Sequence, residues 1–207
     1  IADLATKWSW GLEMLGTRNR FFGNIVGHAE GVSDPSSLAS WTAEAFDPAL
    51  DWDRIRQLMD MWDGGPVILK GILDVEDARK AVEVGADAIV VSNHGGRQLD
   101  GALSSIRMLG PIVDAVGDEI EVHFDSGIRS GQDVLKAIAM GAKGAWIGRA
   151  WTYGLGAMGQ AGVTRALEVI AKECATTMAL CGRRDIGEVG RDILLVPEDF
   201  AGRWAEN

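Results

Sequence analysis

The side chains best placed to do chemistry stand at the ends of short apolar runs. His94 and Arg97 share the segment Ser92-Asn93-His94-Gly95-Gly96-Arg97-Gln98-Leu99-Asp100. Two glycines follow the imidazole and leave it uncovered, and the guanidinium comes three residues after it. Histidine is the residue type whose charge changes near neutral pH, which suits a general base. Arginine presents a planar fork that matches a carboxylate with two parallel hydrogen bonds. Together they make a device for drawing a proton from a small carboxylate substrate. A lone histidine is commonly structural; the glycines and the arginine set this one apart.

Two more segments point to an anion. Asp125-Ser126-Gly127-Ile128-Arg129-Ser130-Gly131 and Gly148-Arg149 each end an apolar run just before a helix start. Glycine lets backbone amides come close to a ligand, helix N-termini donate hydrogen bonds, and arginine suits phosphate oxygens. Either segment alone could be a turn with a surface arginine; two at adjacent run ends argue for a phosphate site. Lys70 follows the run Val67-Ile68-Leu69. A lysine at the end of a buried strand is costly unless it faces an anion or polar ligand, or snorkels to a rim.

The elements that position these residues alternate regularly. A helix from Asp51 carries Trp52, Ile55, Leu58, Met59 and Trp62 at helical spacing and ends at Gly64-Gly65-Pro66. Apolar runs follow at 67–69, 88–91, 120–124 and 144–147. Between them lie helices after the capping residue Asp74, from about Ser104 to Val116, and from about Gly131 to Met140. A last long helix is read from about Gly159 to Cys181. Short buried strands alternating with amphipathic helices predict a parallel α/β sheet. Four successive strand ends feeding one site fit the mouth of a (β/α)₈ TIM barrel better than an open doubly wound sheet. About four βα units are visible, so two strand edges need cover from another segment or from a homo-oligomer.

Composition bounds the partners. The 207 residues carry 30 acidic and 20 basic side chains, a net charge of −10, which opposes nucleic acid. Cys174 and Cys181 sit too far apart on one helix for a disulfide and read as core thiols in a reducing, cytoplasmic setting. No run is long and apolar enough to span a membrane. Residues 1–50 form a separate loop and helical segment in which Lys7-Trp8-Ser9-Trp10, Arg18, Arg20, Phe21 and Phe22 mix aromatic and basic side chains. Such a mixture suits peripheral contact with the inner face of the cytoplasmic membrane or with another subunit. Residues 51–207 carry the barrel. A barrel usually needs about 250 residues, and the chain opens on Ile1 rather than Met, so a fragment or processed chain is expected.

The segments Leu69-Lys70-Gly71, Val91-Ser92-Asn93-His94-Gly95-Gly96-Arg97, Asp125-Ser126-Gly127-Ile128-Arg129 and Ile147-Gly148-Arg149-Ala150, in that order, resemble the FMN-dependent α-hydroxy-acid dehydrogenases and oxidases. The N-terminal stretch is similar to the membrane-docking segment of the bacterial lactate and mandelate enzymes in that family. The resemblance implies oxidation of an L-2-hydroxy acid, lactate- or mandelate-like, to the 2-oxo acid. It implies His94 as base and as a substrate ligand with Arg97. Lys70 and Ser92 would contact the flavin, and Asp125, Ser126, Gly127, Ile128, Arg129, Gly148 and Arg149 would hold FMN. The family pattern also has an N-terminal barrel half, which is not among these residues. Two rival readings are a flavin-free phosphate-binding barrel isomerase or lyase, and a non-catalytic partner chain.

Overall fold

The computed structural model describes residues 8–16, 22–23, 25, 28–32, 35–45, 49–62, 64–197 and 200. The expectations for Lys7, Arg18, Arg20 and Phe21 lie outside them. The chain divides into two compact units, Ile1–Asp51 and Trp52–Asn207. The first holds α1 (Trp8–Gly16) and α2 (Pro35–Ala45). On α1, Trp8, Leu12 and Leu15 recur at i, i+4 and i+7, and all three are exposed.

The second unit runs α3 (Trp52–Met61), β1 (Ile68–Ile72), α4 (Val75–Glu83), β2 (Ala88–Val91), α5 (Ser105–Val116), β3 (Glu121–Phe124), α6 (Gly131–Ala139), β4 (Gly144–Ala145) and α7 (Arg149–Leu180). The four strands form one parallel sheet in sequence order, β1-β2-β3-β4. Parallel strands demand helical crossovers, and the sequence supplies start signals for them. Asp74 caps α4 by accepting hydrogen bonds from the amides of Glu76 and Asp77. Ser130 and Asp133 cap α6 reciprocally as a capping box. Gly85 and Gly141, at φ of +81° and +106°, adopt the left-handed turn that ends each helix.

Alternation along the strands separates two faces. Leu69, Ile89, Val122, Phe124 and Ala145 pack with Ala78, Leu109, Ile112 and Ala137 in the main core, between sheet and helices. On the other face, Lys70, Val90, His123 and Gly144 lie side by side in register. That face carries the polar residues and points toward what would be the barrel interior. Within the described residues β1 and β4 each pair on one side only, matching the two open edges expected from the sequence.

Two expectations change. The last helix begins at Arg149, ten residues earlier than the pattern indicated, and is interrupted at Met158 and Gly159. Gly154 and Gly162 are packing residues: a methyl group on Gly154 would stand 2.4 Å from the Gly162 carbonyl oxygen. Cys181 is exposed rather than in the core; Cys174 is half-buried, and both are free thiols.

Candidate functional site

The site is assembled at the C-terminal ends of all four strands. At β1 the pairing register slips between Lys70 and Ile72, where Gly71 takes φ +100°. This irregularity ends regular pairing and presents Lys70 at the rim. Lys70 Nζ donates to Ser92 Oγ at 2.9 Å and stands 2.8 Å from Asp125 Oδ2. Ser92 follows β2, is 2 % exposed, and donates its hydroxyl to Asp125 Oδ2 at 2.8 Å. Ser92 Oγ in turn accepts from the His94 amide at 3.1 Å. Lys70 is therefore not alone at its strand end. Burial alone would raise the Asp125 carboxyl, but hydrogen bonds from Lys70, Ser92 and the Ser126 amide, with the lysine charge, hold it below the ordinary carboxylate value.

His94 opens a short turn at Gly95-Gly96 with φ +55°, and Ser126 has φ +84°. These are the two non-glycine residues with positive φ among the described residues, and both stand in this site. Side chains of such type avoid that region unless neighbours over-determine it. Here they do: the Gly95 amide donates to Asn93 Oδ1 at 3.0 Å and to Ser126 Oγ at 3.1 Å. The turn is thus bolted to the loop after β3. The imidazole and the guanidinium of Arg97 both line the same cavity, of about 400 Å³.

The two helix N-termini at this mouth differ. At α6 the amides of Arg129 and Ser130 donate to Asp133 Oδ2, both at 3.0 Å, and the Gly131 amide donates to Glu173 Oε2 at 2.9 Å. Those donors are already taken by protein carboxylates, and Gly131 serves helix packing rather than approach of an anion. At α7 the cap residue Gly148 provides no side-chain acceptor, so its first-turn amides keep their donors. A Cβ on Gly148 or on Gly127 would meet open space within 4 Å, which leaves room for a ligand against the backbone. Arg149 lies beside this end and donates to the Gly95 carbonyl at 3.4 Å, bridging the anion end to the histidine turn.

Ten of the eleven residues singled out from the sequence line one cavity, and Ser92 lies behind it as the buried hub. Ile128 sends its side chain into the core, so it offers a ligand little beyond its backbone. Trp146, Trp151 and Thr152 also line the cavity and were not read from the sequence. Trp146 was findable, since it alternates with Ala145 and Ile147 at the fourth strand end. Lys70, Arg97, Arg129 and Arg149 give the lining four cations against the single carboxylate of Asp125, inside a chain of net charge −10. The cavity is built for an anion. It brings an open helix end flanked by arginines into one lining with a lysine and a histidine.

The model of the FMN-dependent dehydrogenase family matches residues 1–196. The chain belongs to that family. It is 47% identical over 196 residues to an L-lactate dehydrogenase of Caulobacter vibrioides, covering 93% of this chain and 50% of that protein. An L-lactate dehydrogenase of Pseudomonas aeruginosa is 47% identical over 188 residues, 91% of this chain and 49% of its own. Among solved structures, a monotopic membrane protein, (S)-mandelate dehydrogenase, superposes with a TM-score of 0.84 at 35% identity, covering 90% of this chain and 49% of that one. A mandelate oxidase gives 0.69 at 51% identity, over 74% and 43%. The chain spans about half the length of the relatives it matches. Its four βα units are part of a (β/α)₈ barrel, as the strand-end chemistry predicts.

FMN fits the residues present. The uncapped α7 terminus, the open Cβ positions of Gly127 and Gly148, and Arg129 and Arg149 suit its phosphate. Lys70 lines the same cavity.

Proposed function

We propose that the protein containing this chain oxidises an L-2-hydroxy acid, lactate- or mandelate-like, to the 2-oxo acid with FMN as cofactor. The observation that carries this reading is the placement of His94 and Arg97 in the same cavity as the open helix end and its arginines. Overall the substrate loses two electrons and two protons. FMN, when bound, accepts the electrons. Arg97 binds the substrate carboxylate through its fork, which fixes the α-carbon and its hydroxyl relative to His94. His94 Nε2 or Nδ1 accepts a proton from the bound acid. The turn at Gly95-Gly96 holds the imidazole at the rim, so it can later release that proton to solvent. Lys70 opposes negative charge that builds on the ring. Arg129, Arg149 and the first amides of α7 hold the phosphate, and residues Asp125 to Ile128 line the path between.

We further propose that the open sheet edges are covered by residues outside this chain, and that the assembled enzyme is a homo-oligomer. Peripheral membrane contact through α1 is supported by its exposed Trp8, Leu12 and Leu15 and by the likeness to a monotopic membrane enzyme. No helix among the described residues is long and apolar enough to cross a membrane.

The test is His94→Gln in the full-length protein. FMN is expected to remain bound while flavin reduction by lactate or mandelate under anaerobic conditions slows by about 10²–10⁴-fold. Near-normal reduction in that variant would remove His94 as the base. Colourless protein that binds no FMN would favour a flavin-free barrel isomerase or lyase.

A further inference from the structure

Lys70, Ser92 and Asp125 come from three different strand ends and close a triangle. Its sides are 2.9 Å from Lys70 Nζ to Ser92 Oγ, 2.8 Å from Ser92 Oγ to Asp125 Oδ2, and 2.8 Å from Asp125 Oδ2 to Lys70 Nζ. Hydrogen-bond capacity fixes its polarity. The Ser92 hydroxyl accepts from both the Lys70 ammonium and the His94 amide, which uses its two lone pairs, so its one proton goes to Asp125. Ser92 is 2 % exposed, and Ser126 Oγ stands 3.3 Å from the same hydroxyl as a longer, fourth contact. The lysine head is left about a third exposed, toward the cavity, and the carboxylate is more enclosed at 16%.

Resting on the FMN reading above, we propose that Asp125 is a positioning residue: through Ser92 it pins the Lys70 ammonium at the cavity wall and offsets part of its charge, lowering the reduction potential of the bound flavin. A lone ammonium beside the ring would hold the reduced, electron-rich form strongly. An ammonium already shared with a carboxylate at 2.8 Å holds it less. A flavin that takes electrons from a hydroxy acid and then passes them on needs a potential between those of donor and acceptor, and the carboxylate is what keeps the cation from overshooting. Two of the hydrogen bonds that keep Asp125 ionised, those from Lys70 and Ser92, are sides of the triangle.

The experiment uses the full-length, FMN-loaded protein and three variants: Asp125→Asn, Lys70→Met and the double variant. Asparagine keeps an oxygen for Lys70 and Ser92 but removes the charge. The readouts are the flavin midpoint potential and the affinity for sulfite, followed by bleaching of the visible flavin band; neither depends on turnover. Asp125→Asn is expected to tighten sulfite about tenfold and to raise the potential by about 30 mV for the two-electron couple. In the Lys70→Met background the same change is expected to have less than half that effect, because the cation it acts through is gone. An unchanged or lower potential in Asp125→Asn overturns the proposal. So does a full shift in the Lys70→Met background, which would make Asp125 act on the ring directly. Weakened FMN retention with an unmoved potential would make Asp125 a simple cofactor ligand and also overturns it. If the unaltered protein binds no FMN, the proposal and the functional reading fall together; if it binds FMN and only the potential fails to respond, the proposal falls alone.

Discussion

A methyl group added at Gly131 should damage this molecule more than its size suggests. The glycine opens α6 where that helix crosses α7, and an added Cβ would stand 2.0 Å from the Cys174 amide nitrogen, 2.4 Å from the Ile170 carbonyl oxygen and 2.5 Å from the Glu173 carbonyl carbon. All three obstacles are backbone, so no rotamer change relieves them. Relief requires α6 and α7 to separate by more than an ångström at their closest crossing. Overpacking of this kind costs about 1–3 kcal/mol, with the upper end fitting rigid obstacles. The separation also stretches the 2.9 Å bond from the Gly131 amide to the Glu173 carboxylate, a charge-assisted bond worth about 1.5–3 kcal/mol. Together the loss is about 2.5–6 kcal/mol in Gly131→Ala. Urea unfolding of the full-length protein, followed by far-UV circular dichroism, measures it as a lower midpoint. The loop of Asp125 to Ser130 is anchored by the same helix start, so FMN should dissociate more readily as well. A loss below about 0.5 kcal/mol, with unaltered FMN retention, would mean that the two helices do not meet as described and would refute the reasoning.

Three other perturbations have defined outcomes. Gly95→Ala places a Cβ 2.7 Å from Arg149 Nη2 at a backbone φ of +68°; because the obstacle is a side-chain end, the fold should survive while FMN affinity, measured by quenching of flavin fluorescence, weakens about tenfold, equal to about 1.4 kcal/mol. Asp125 has a folded pKa below its ordinary 3.8, so its stabilisation is present above that value and is lost as pH falls through the lower, folded one. Acid unfolding of Asp125→Asn should therefore lack the part of the transition below pH 3.8 that the unaltered protein shows, and superimposable acid titrations would contradict this. Burial pushes the Cys174 thiol up, whereas Cys181 is exposed, so a thiol-alkylating reagent at neutral pH should modify Cys181 first by mass spectrometry; equal rates would contradict the packing of α7.

What was legible in the sequence is what depends on neighbours along the chain. The runs at 88–91 and 120–124 show as strands because each is enclosed by the sheet on both sides, and Asp74 and Ser130 announce helices by chemistry confined to one turn. His94 and Arg97 share one turn, so their pairing needed no knowledge of the fold. What stayed hidden depends on residues far apart. Lys70 was read as a cation awaiting a ligand because its partner stands 55 positions later, on the third strand end. Gly131 was read as a place for an anion because Glu173 and the α7 backbone, more than 40 residues away, are what it touches. The start of α7 lies ten residues before the expected Gly159 because the close approach of Gly154 to Gly162 lets two helical stretches meet there.

The contrast between the two helix ends orients the whole site. Both α6 and α7 aim N-terminal amides at the mouth, and a glycine stands at each, so sequence alone assigns the phosphate to both. Electrostatics separates them: Asp133 and Glu173 place carboxylates on the α6 amides, making that end repel a phosphate it would otherwise attract. α7 has no such cap and has Arg149 at its first position. On the proposed FMN reading an anion would be directed to the α7 end, next to the fourth strand, and the rest of the cofactor would lie along the loop of Asp125 to Ile128. Lys70 and the histidine turn line the same cavity, where the proposed reading puts the hydroxy acid. On that reading, a carboxylate pair that looks like mere helix capping selects one of two competing anion sites.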